Sequence, residues 1–461
     1  MNNLSLLPFR RFVSENKLAT ILAVGIIARV ILMPISAHPF DVYCWYSTCT
    51  DIIQHGPLNV QFFPPLFGHY MMIPVAYIYN WLAGIFSSGA IPMASLAPEL
   101  NFYPSYNVQF VPGLLFNSVV KFPFLISDIL VTVLLYKTVA ELTKNRGLAE
   151  KAALFWFLNP FVIWISAGWG MWDTLPALFS LAAFFFLLKK RFAVSAVCLS
   201  LGVACKLYPA LFLVPIAFYL LKVSPVGERL RSGVKFFGVF GVSCFVLFLP
   251  YLGSVANSIV SFFVASPAIA ASAVTNPVVE PLGFGLTYWS LYLLNRLINI
   301  PVSAGFVSAM HVLSAVMSCV FVGLVYWKTR KMSFQKPGFD LAAAMLFCVL
   351  ALFLSQRIVC EQWFVWALPF MIILFVGGRV RSVFYWGASF VALLYSVLNC
   401  PLPFFFLPLA PWLGDNLLWL VYTLWTVEPV RIVVLALLGC LFSLLLVIML
   451  LKFGAGKKVK R

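Results

Sequence analysis

The chain is divided into long apolar runs, separated by short segments that are rich in basic residues. Many of these runs reach the roughly 20 residues that a helix needs to cross a hydrocarbon core. Backbone amides in lipid have no water to bind, so each run must satisfy them internally as a helix. The pattern therefore predicts an all-α, polytopic integral membrane protein.

The composition of the 461 residues agrees with this prediction. Hydrophobic residues make up 63% of the chain and charged residues 10%, whereas soluble domains carry about 25% charged residues. The formal net charge of +17 comes largely from basic clusters between the apolar runs. Such clusters are typical of cytoplasmic loops, so they predict an orientation in the membrane and no nucleic-acid partner.

With the basic clusters inside, the apolar runs predict about twelve crossings, cytoplasmic termini and one transmembrane domain, 1–461. Long outer loops are expected at 37–107, 253–300 and 400–430, and because the inner loops are short, activity is expected on the outer side. The predicted helices lie near residues 18–36, 108–137, 152–169, 174–188, 192–205, 208–222, 234–252, 302–327, 340–356, 361–377, 382–399 and 431–451.

The first outer loop contains a further apolar stretch, residues 66–87, which is long enough to span. If it crossed the membrane, every later basic cluster would lie outside, against the positive-inside rule. We therefore expect an interfacial or re-entrant helix there. Cys44 and Cys49 lie in the same loop and can either pair as a disulfide or stay free.

A few cations depart from the cytoplasmic pattern, and charges near the bilayer are functional candidates. For Arg29 and Lys121 the alternative is pairing with Asp128 or another buried group. Lys206 and Arg357 are expected to bind an anionic group on the outer face, with snorkelling to headgroups as their alternative. For Arg431 we favour snorkelling. The exceptions among the 31 Lys and Arg residues are Arg29, Lys121, Lys206, Arg296, Arg357 and Arg431.

The outer acids are equally sparse, and Asp41 follows the first crossing directly. A solvated helix end is the alternative role for such a residue. A carboxylate beside cationic phosphate anchors suits a transfer in which a hydroxyl attacks and a lipid phosphate leaves. Glu361 lies four residues after Arg357, so a purely structural ion pair is equally open.

The three histidines of the first loop do not predict a metal site. Spacings of 17 and 14 residues separate His38, His55 and His69, and they fit no compact ligand set. We expect hydrogen-bonding roles for them, with neither a metal nor a cofactor required.

Three segments and the overall layout resemble one family of enzymes. The segments are Asn159-Pro160-Phe161 through Gly170-Met171-Trp172-Asp173, Cys205-Lys206-Leu207-Tyr208-Pro209, and Val359-Cys360-Glu361-Gln362-Trp363-Phe364-Val365-Trp366. With an acid just after the first helix, this order resembles the GT-C superfamily of polyprenyl-phosphate-sugar-dependent glycosyltransferases. Within it, the chain is most similar to the GPI mannosyltransferases that add the first mannose and to their prokaryotic relatives. The eukaryotic enzymes carry Asp-x-Asp in the first loop, whereas the matching segment of this chain, His38-Pro39-Phe40-Asp41-Val42-Tyr43, has one acid, Asp41.

The resemblance implies a reaction and a set of roles. A hexose, mannose in that family, would move from a dolichyl- or undecaprenyl-type phosphate to a lipid-linked or glycan acceptor, with inversion. Asp41 would be the general base, and Lys206 and Arg357 would bind the donor phosphate without a metal ion. Sugar or acceptor contacts are expected from His38, Tyr43, Trp172, Asp173, Tyr208, Glu361 and Gln362.

Two other classes of function stay open at this stage. A transporter or flippase of lipid-linked sugars would use intramembrane charges, of which Arg29, Lys121 and Asp128 are examples. A structural or assembly subunit would need no catalytic Asp41. We expect a prokaryotic plasma membrane, or the endoplasmic reticulum if the source is eukaryotic; the acceptor and the oligomeric state are not predicted.

Overall fold

The computed structural model describes residues 16–57, 66–86, 94–95, 110–111, 113–251, 304–356, 359–400, 402–409 and 428–454. Arg296, Arg357 and most of the predicted outer loops 253–300 and 400–430 lie outside these residues.

The described part of the chain is built almost entirely from helices, so the predicted all-α class is confirmed. A two-residue antiparallel pair, β1 (Ala94–Ser95) with β2 (Phe110–Val111), is the exception in the described ranges. The helices are α1 (Lys17–Ile35), α2 (Pro39–His55), α3 (Leu66–Ile85), α4 (Leu114–Thr143), α5 (Arg146–Phe157), α6 (Pro160–Ile163), α7 (Thr174–Leu188), α8 (Phe192–Cys205), α9 (Leu213–Val223), α10 (Arg229–Phe248), α11 (Ala304–Lys331), α12 (Pro337–Ser355), α13 (Leu368–Val376), α14 (Ser382–Asn399), α15 (Leu402–Phe405) and α16 (Glu428–Gly454).

Tighter and wider turns join some of these helices. A π-helical turn, Trp164–Trp169, continues α6, and 3₁₀ turns at Tyr208–Phe212 and Glu361–Trp366 precede α9 and α13. Two more 3₁₀ turns, Val226–Glu228 and Leu249–Tyr251, flank α10. A last one, Leu407–Leu409, follows α15.

Six helices of the described ranges are long and apolar enough to cross a membrane, or seven if a bent pair counts as one span. Shorter apolar helices at Thr174–Leu188, Phe192–Cys205 and Tyr208–Val223 accompany them. A multi-pass membrane protein is thus confirmed. The total of twelve crossings and the side on which the termini lie stay predictions.

One predicted crossing, 152–169, is broken in the structure. The helix α5 ends at Phe157, and the following segment Pro160–Trp169 is bent away from it by 44°. The reason is local, because Pro160 has no N–H to continue the ladder and the Asn159 side chain caps the new helix by accepting from the Phe161 N–H at 2.9 Å.

The two most buried of the candidate spans in the described ranges are α12, at 83%, and α4, at 50%. The helix α4 packs against α1, α3, α5 and α7. Apolar side chains on the outer faces of α1 and α10 are exposed, for example Ile31 and Leu230. Exposed apolar faces of this kind suit contact with lipid.

A buried ion pair joins α1 to α4 and confirms one of the sequence-based alternatives. Arg29 on α1 donates from Nε to Asp128 Oδ2 on α4 at 2.7 Å. Its Nη1 donates to the Phe157 carbonyl at 2.8 Å, an acceptor that the break after α5 leaves without a helical partner. Ser166 completes the group by donating to Asp128 Oδ2 at 2.7 Å.

Three further expectations from the sequence concern Arg431, the two cysteines of α2 and the stretch 66–87. Arg431, for which we favoured snorkelling, instead donates to the Leu398 carbonyl at 3.1 Å and to the Asn399 carbonyl, at the C-terminus of α14. A cation there is favoured by the helix dipole. Cys44 and Cys49 lie on α2 as free thiols. The apolar stretch 66–87 forms α3, and whether it crosses the membrane stays a prediction.

Candidate active site

The carboxylate of Asp41 lies in the first turn of a helix that our sequence analysis did not predict. The chain leaves α1 at Ile35 and starts α2 at Pro39, with His38 as the N-cap. Proline at the first helical position and Gly56 after the last one were signals for this helix. An acid in a first turn is favoured by the helix dipole, so the position suits an ionised Asp41.

One oxygen of Asp41 is held by two neighbours, and the other is not. The Trp169 indole N–H donates to Asp41 Oδ2 at 2.6 Å. His38 Nδ1 lies 3.0 Å from the same oxygen and 3.4 Å from the Asp41 backbone nitrogen. One ring nitrogen cannot both donate and accept, so we assign its proton to the shorter contact with the carboxylate. Asp41 Oδ1 receives no hydrogen bond from the described residues, and the side chain is 20% exposed.

Aromatic packing fixes these two donors. The rings of His38 and Trp169 are stacked, with centroids 4.4 Å apart and planes within 6°. Phe405 packs against both rings, at 5.6 Å and 5.3 Å. The His38 backbone N–H also donates to the Trp169 carbonyl at 2.9 Å. The chain before α2 is therefore attached to the π-helical turn through both backbone and side chains.

The pKa of Asp41 reflects competing influences. Burial acts to raise it, but the charge and hydrogen bond of His38, the hydrogen bond from Trp169 and the charge of Lys206 together hold the pKa below its usual range. Hydrogen bonds to the charged form favour ionisation. Asp41 is therefore a carboxylate at neutral pH.

A second acid, Asp173, lies at the turn between the π-helical turn and α7 and is fully buried. The Trp366 indole N–H donates to Asp173 Oδ1 at 2.7 Å, and Lys206 Nζ lies 3.2 Å from the same oxygen. Asp173 Oδ2 is buried without a hydrogen-bond partner among the described residues. Burial raises the pKa of Asp173 despite the opposing charge of Lys206 and the hydrogen bonds from Lys206 and Trp366, and the nearby Asp41 raises it further.

Lys206 follows α8 directly, and its side chain is 17% exposed. Its ammonium lies 5.2 Å and 5.9 Å from the ring centroids of Trp366 and Trp363, close enough for cation–π attraction. Tyr208 stacks on Trp366 at 4.2 Å and shares a hydrogen bond with Ser180 at 3.3 Å. The cation is thus oriented by a carboxylate and two indoles while part of it stays accessible.

The two acids belong to one electrostatic cluster. Burial and the charges of Glu361, Asp173 and Asp41 raise the pKa of the Cys360 thiol to about 12, and Lys206 opposes them. Each of these groups therefore lies close enough to Cys360 to act on it. We call Asp41, Asp173, Lys206 and Glu361 the charged cluster.

The segment Glu361–Trp366 supplies Glu361 of the charged cluster and one further polar group, Gln362. Glu361 is buried and accepts a hydrogen bond from Asn399 Nδ2 on α14. Gln362 is buried, and its Oε1 has no hydrogen-bond partner among the described residues. Hydroxyl groups of a bound sugar would supply donors to such acceptors.

The remaining predicted contacts lie around the cluster with differing exposure. Tyr43 is half-buried on α2, whereas Trp172 and Tyr208 are buried. Trp172 packs edge-on against Trp45 at 5.4 Å and lies against Gly68 of α3. Their burial favours supporting roles over direct stacking on a sugar face.

Sequence reasoning missed three residues that complete the site, one of which is Trp169, the donor to Asp41. Trp366 was quoted as part of the third motif, yet nothing in the sequence indicated that its N–H binds Asp173. Asn399 gave no signal, because it reaches Glu361 from a separate helix 38 positions further along the chain.

The described residues also bear on metal binding. Among them, no three His, Cys, Asp or Glu side chains are grouped to hold a metal ion. Catalysis without a metal nevertheless stays a prediction. What the arrangement can do is accept a proton at Asp41 Oδ1 and neutralise an anion at Lys206, whose side chains are both partly exposed.

Comparison with known proteins shows partial similarity to two enzymes. GPI mannosyltransferase 1 of Candida albicans is 32% identical over 104 residues, which are 22% of this chain and 25% of the yeast protein. GPI mannosyltransferase 1 of Kluyveromyces lactis is 27% identical over 154 residues, 32% of this chain and 36% of the relative. The similarity to GPI mannosyltransferases is confirmed. The chain matches only about a quarter to a third of the length of these two relatives.

A family profile gives a second similarity. The profile described as GPI transamidase subunit PIG-U matches residues 102–266. This range contains Trp169, Asp173 and Lys206 but ends before Glu361 and begins after Asp41. The part of the cluster that carries the candidate base therefore lies outside the match.

Proposed function

We propose that this protein is a membrane mannosyltransferase that moves mannose from a polyprenyl-phosphate donor to a lipid-linked glycan acceptor on the extracytoplasmic face. The observation that carries the proposal is Asp41, a partly exposed carboxylate. One of its oxygens is fixed by two donors, the other receives no hydrogen bond from the described residues, and the charge of Lys206 acts on it. Similarity to GPI mannosyltransferases supports the choice of mannose.

The proposed step is a single displacement with inversion. An acceptor hydroxyl attacks the anomeric carbon of the donor and loses its proton to Asp41 Oδ1, acting as general base. The bond between that carbon and the phosphate oxygen breaks, and polyprenyl phosphate leaves with the electron pair. Lys206 neutralises the charge that grows on the leaving phosphate.

The monophosphate leaving group explains why no metal is proposed. One phosphate carries less charge than the diphosphate of a nucleotide-sugar, so one or two cations suffice for it. Lys206 supplies one of them, and Arg357, which lies outside the described residues, is proposed as the second. We expect transfer to continue in the presence of a chelator.

The buried acceptors beside the cluster are proposed to bind the sugar. Asp173 Oδ2 and Gln362 Oε1 lack protein donors among the described residues, and a hexose offers several hydroxyl donors. His38, Tyr43 and Glu361 lie nearby and complete the proposed contacts. Burial of Trp172 and Tyr208 places them behind these residues as support.

A second candidate function is that of a non-catalytic subunit. The match of residues 102–266 to a family described as a transamidase subunit favours it. A subunit would not need the open oxygen of Asp41, nor its pair of donors. The transporter alternative loses its main support, because the charges of Arg29, Asp128 and Lys121 are bound inside the protein.

The proposed compartment rests on the organisms of the two relatives. Both relatives come from yeasts, which favours the endoplasmic reticulum membrane over the prokaryotic plasma membrane that we expected from the sequence. In either case the cluster is proposed to face away from the cytoplasm, with both termini inside.

The test of the function is transfer by the purified full-length protein. Radiolabelled polyprenyl-phosphate mannose is supplied with glucosaminyl-phospholipid acceptors and a chelator, and the product anomer is determined. We expect a mannosylated lipid with inverted configuration. Absence of transfer, combined with stable capture of other membrane subunits, would instead support the subunit function.

A further inference from the structure

A lysine near the N-terminal end of α4, Lys121, is completely buried among backbone carbonyls. The Lys121 Nζ donates to the Met33 carbonyl at 3.1 Å and to the Ser36 carbonyl, both at the end of α1. It also donates to the carbonyls of Ala167 at 3.0 Å and Gly168 at 3.3 Å in the π-helical turn. Four acceptors surround an ammonium that has three protons, so at least one bond is shared.

The surroundings show what compensates this buried charge. Among the described residues, no carboxylate lies within ion-pairing distance of Lys121. Removing an ammonium from water costs several kcal/mol, and an apolar side chain would fill the position without that cost. Carbonyls at helix C-termini carry partial negative charge and lack helical partners. Two such ends converge on Lys121 and bind its ammonium.

Both segments held by Lys121 lead directly into the candidate active site. Ser36 lies two residues before His38 and five before Asp41 in the chain. Gly168 is followed at once by Trp169, whose indole donates to Asp41 at 2.6 Å. The lysine therefore sits beneath the contact between Asp41 and its two donors, although it touches neither the carboxylate nor the exposed face of the site.

The neighbouring turn is shaped to the lysine stem. Gly170 has a φ of +91°, and a Cβ at this position would lie 2.8 Å from Lys121 Cε. Its carbonyl accepts the Trp45 indole N–H of α2 at 3.2 Å. A larger residue at position 170 would have to move the turn, the lysine or both.

We propose that Lys121 is a positioning residue, which ties the end of α1 to the π-helical turn and so holds Trp169 and His38 on Asp41. The inference rests on the proposed function, in which Asp41 is the general base. It assigns to a membrane-embedded lysine a role in setting the basicity of a carboxylate that it does not contact.

The test is the pH dependence of kcat/KM for mannose transfer by full-length Lys121→Met, which keeps the apolar stem and loses the donors. Lys151→Met, an exposed lysine of α5, is the matched control. We expect kcat/KM of Lys121→Met to fall about 100-fold at neutral pH. Its acidic limb should move up by about one pH unit, because weaker hydrogen bonds raise the pKa of Asp41. The control should keep the wild-type profile.

A second variant separates positioning from charge and from folding. Gly170→Ala leaves the ammonium in place but displaces the turn, so it should move the acidic limb in the same direction. If Lys121→Met does not accumulate as folded protein, the pH profile of Gly170→Ala tests the proposal alone. A uniform loss of rate at every pH, with the limb unmoved in the variant that folds, would overturn the proposal, since a lysine that only stabilises the fold lowers the amount of active enzyme.

Hydrogen exchange gives a readout without activity. In Lys121→Met, or in Gly170→Ala if only that variant folds, backbone exchange in residues 36–41 and 164–170 should rise together, relative to Lys151→Met. Unchanged exchange in both segments would show that the tie does not exist and would reject the inference. An inactive wild type would reject the proposed function instead, and the exchange data would still decide whether Lys121 holds the two segments.

Discussion

At the scale of single residues, Asp41 is distinguished by the asymmetry of its two oxygens. Oδ2 is bound by Trp169 and His38, while Oδ1 receives no hydrogen bond from the described residues. The bonds to Oδ2 orient the carboxylate, and Oδ1 is left to accept a proton in the proposed reaction. The same donors lower the pKa of Asp41, which keeps it ionised when a hydroxyl arrives.

Removing one donor should move the pH profile in a defined direction. Trp169→Phe keeps a ring for His38 to stack on but loses the N–H that binds Asp41. Because that bond lowers the pKa of Asp41, its loss raises the pKa, and the acidic limb of kcat/KM should shift up by about one unit. The measurement is initial transfer rate against pH in one detergent.

Trp156→Phe is the control for this variant. Trp156 is buried, and its indole N–H has no partner among the described residues, so the same substitution removes no hydrogen bond. Its profile should match that of the wild type. If Trp169→Phe also matches, the indole does not tune Asp41.

Lys206 should govern donor binding. Lys206→Met removes the charge near the leaving phosphate, and a charge-assisted contact is worth about 1.5–3 kcal/mol, so the donor KM should rise about 10- to 100-fold. Titration of the donor at saturating acceptor measures it. The exposed Lys190 of the turn after α7 supplies a control, Lys190→Met, with an unchanged KM. An unaltered donor KM in Lys206→Met would remove this residue from the phosphate site.

At the scale of the helices, close approach at glycine joins α1 to the break after α5. A Cβ on Gly25 would lie 2.3 Å from the ring of Phe157, and the Arg29 guanidinium lies 4.2 Å above that ring. The contact holds the arginine against the orphan carbonyl of Phe157. Small residues are used at membrane helix interfaces for this reason.

Gly25→Ala should therefore destabilise the bundle. Overpacking of a dense contact costs about 1–3 kcal/mol, which denaturant titration of the purified protein can detect. Gly241→Ala on α10 is the matched control, because no atom lies within 4 Å of the added Cβ. That control should be neutral or stabilising by up to about 1 kcal/mol, as alanine is favoured within helices. Equal stability of the two variants would contradict the packing described for α1.

The helices also show what sequence patterns can and cannot predict. Apolar runs located α7 and α8 to the residue, since length and hydrophobicity alone decide a membrane helix. They did not locate α2, whose sequence is polar and aromatic and owes its shape to a cap and a proline. They merged α5 and the segment after Pro160 into one predicted crossing, because hydropathy does not show where a helix bends.

The candidate site divides in the same way. Asp41, Asp173 and Lys206 could be singled out as candidates, because charged side chains are energetically unfavourable near a bilayer and are therefore rare there unless they have a function. Their partners could not, since the Trp366 indole reaches Asp173 from a distant segment through a single hydrogen bond. Asn399 reaches Glu361 in the same way. Pairing with Asp128 or another buried group was one alternative for Lys121, and its partners are backbone carbonyls that no side-chain pattern reveals.

At the scale of the whole molecule, the charged cluster lies where helix ends from several parts of the chain converge. The end of α1, the start of α2, the π-helical turn and the end of α8 contribute to it, together with the segment before α13. Sequence similarity to a transamidase subunit covers only part of this convergence. In our proposal, the segment with Asp41 is what distinguishes a transferase from a subunit.

The most direct test of the account compares two aspartates on α2. Asp41→Asn removes the proposed base, whereas Asp51→Asn makes the same change at an acid that lies near His55 and is 28% exposed. Donor binding and mannose transfer are measured for both with chelator present. We predict that Asp41→Asn binds donor normally and transfers about 100- to 10,000-fold more slowly, the usual contribution of a general base. Asp51→Asn should stay within about twofold of the wild type, as is normal for surface changes. Wild-type transfer by Asp41→Asn would contradict the central claim.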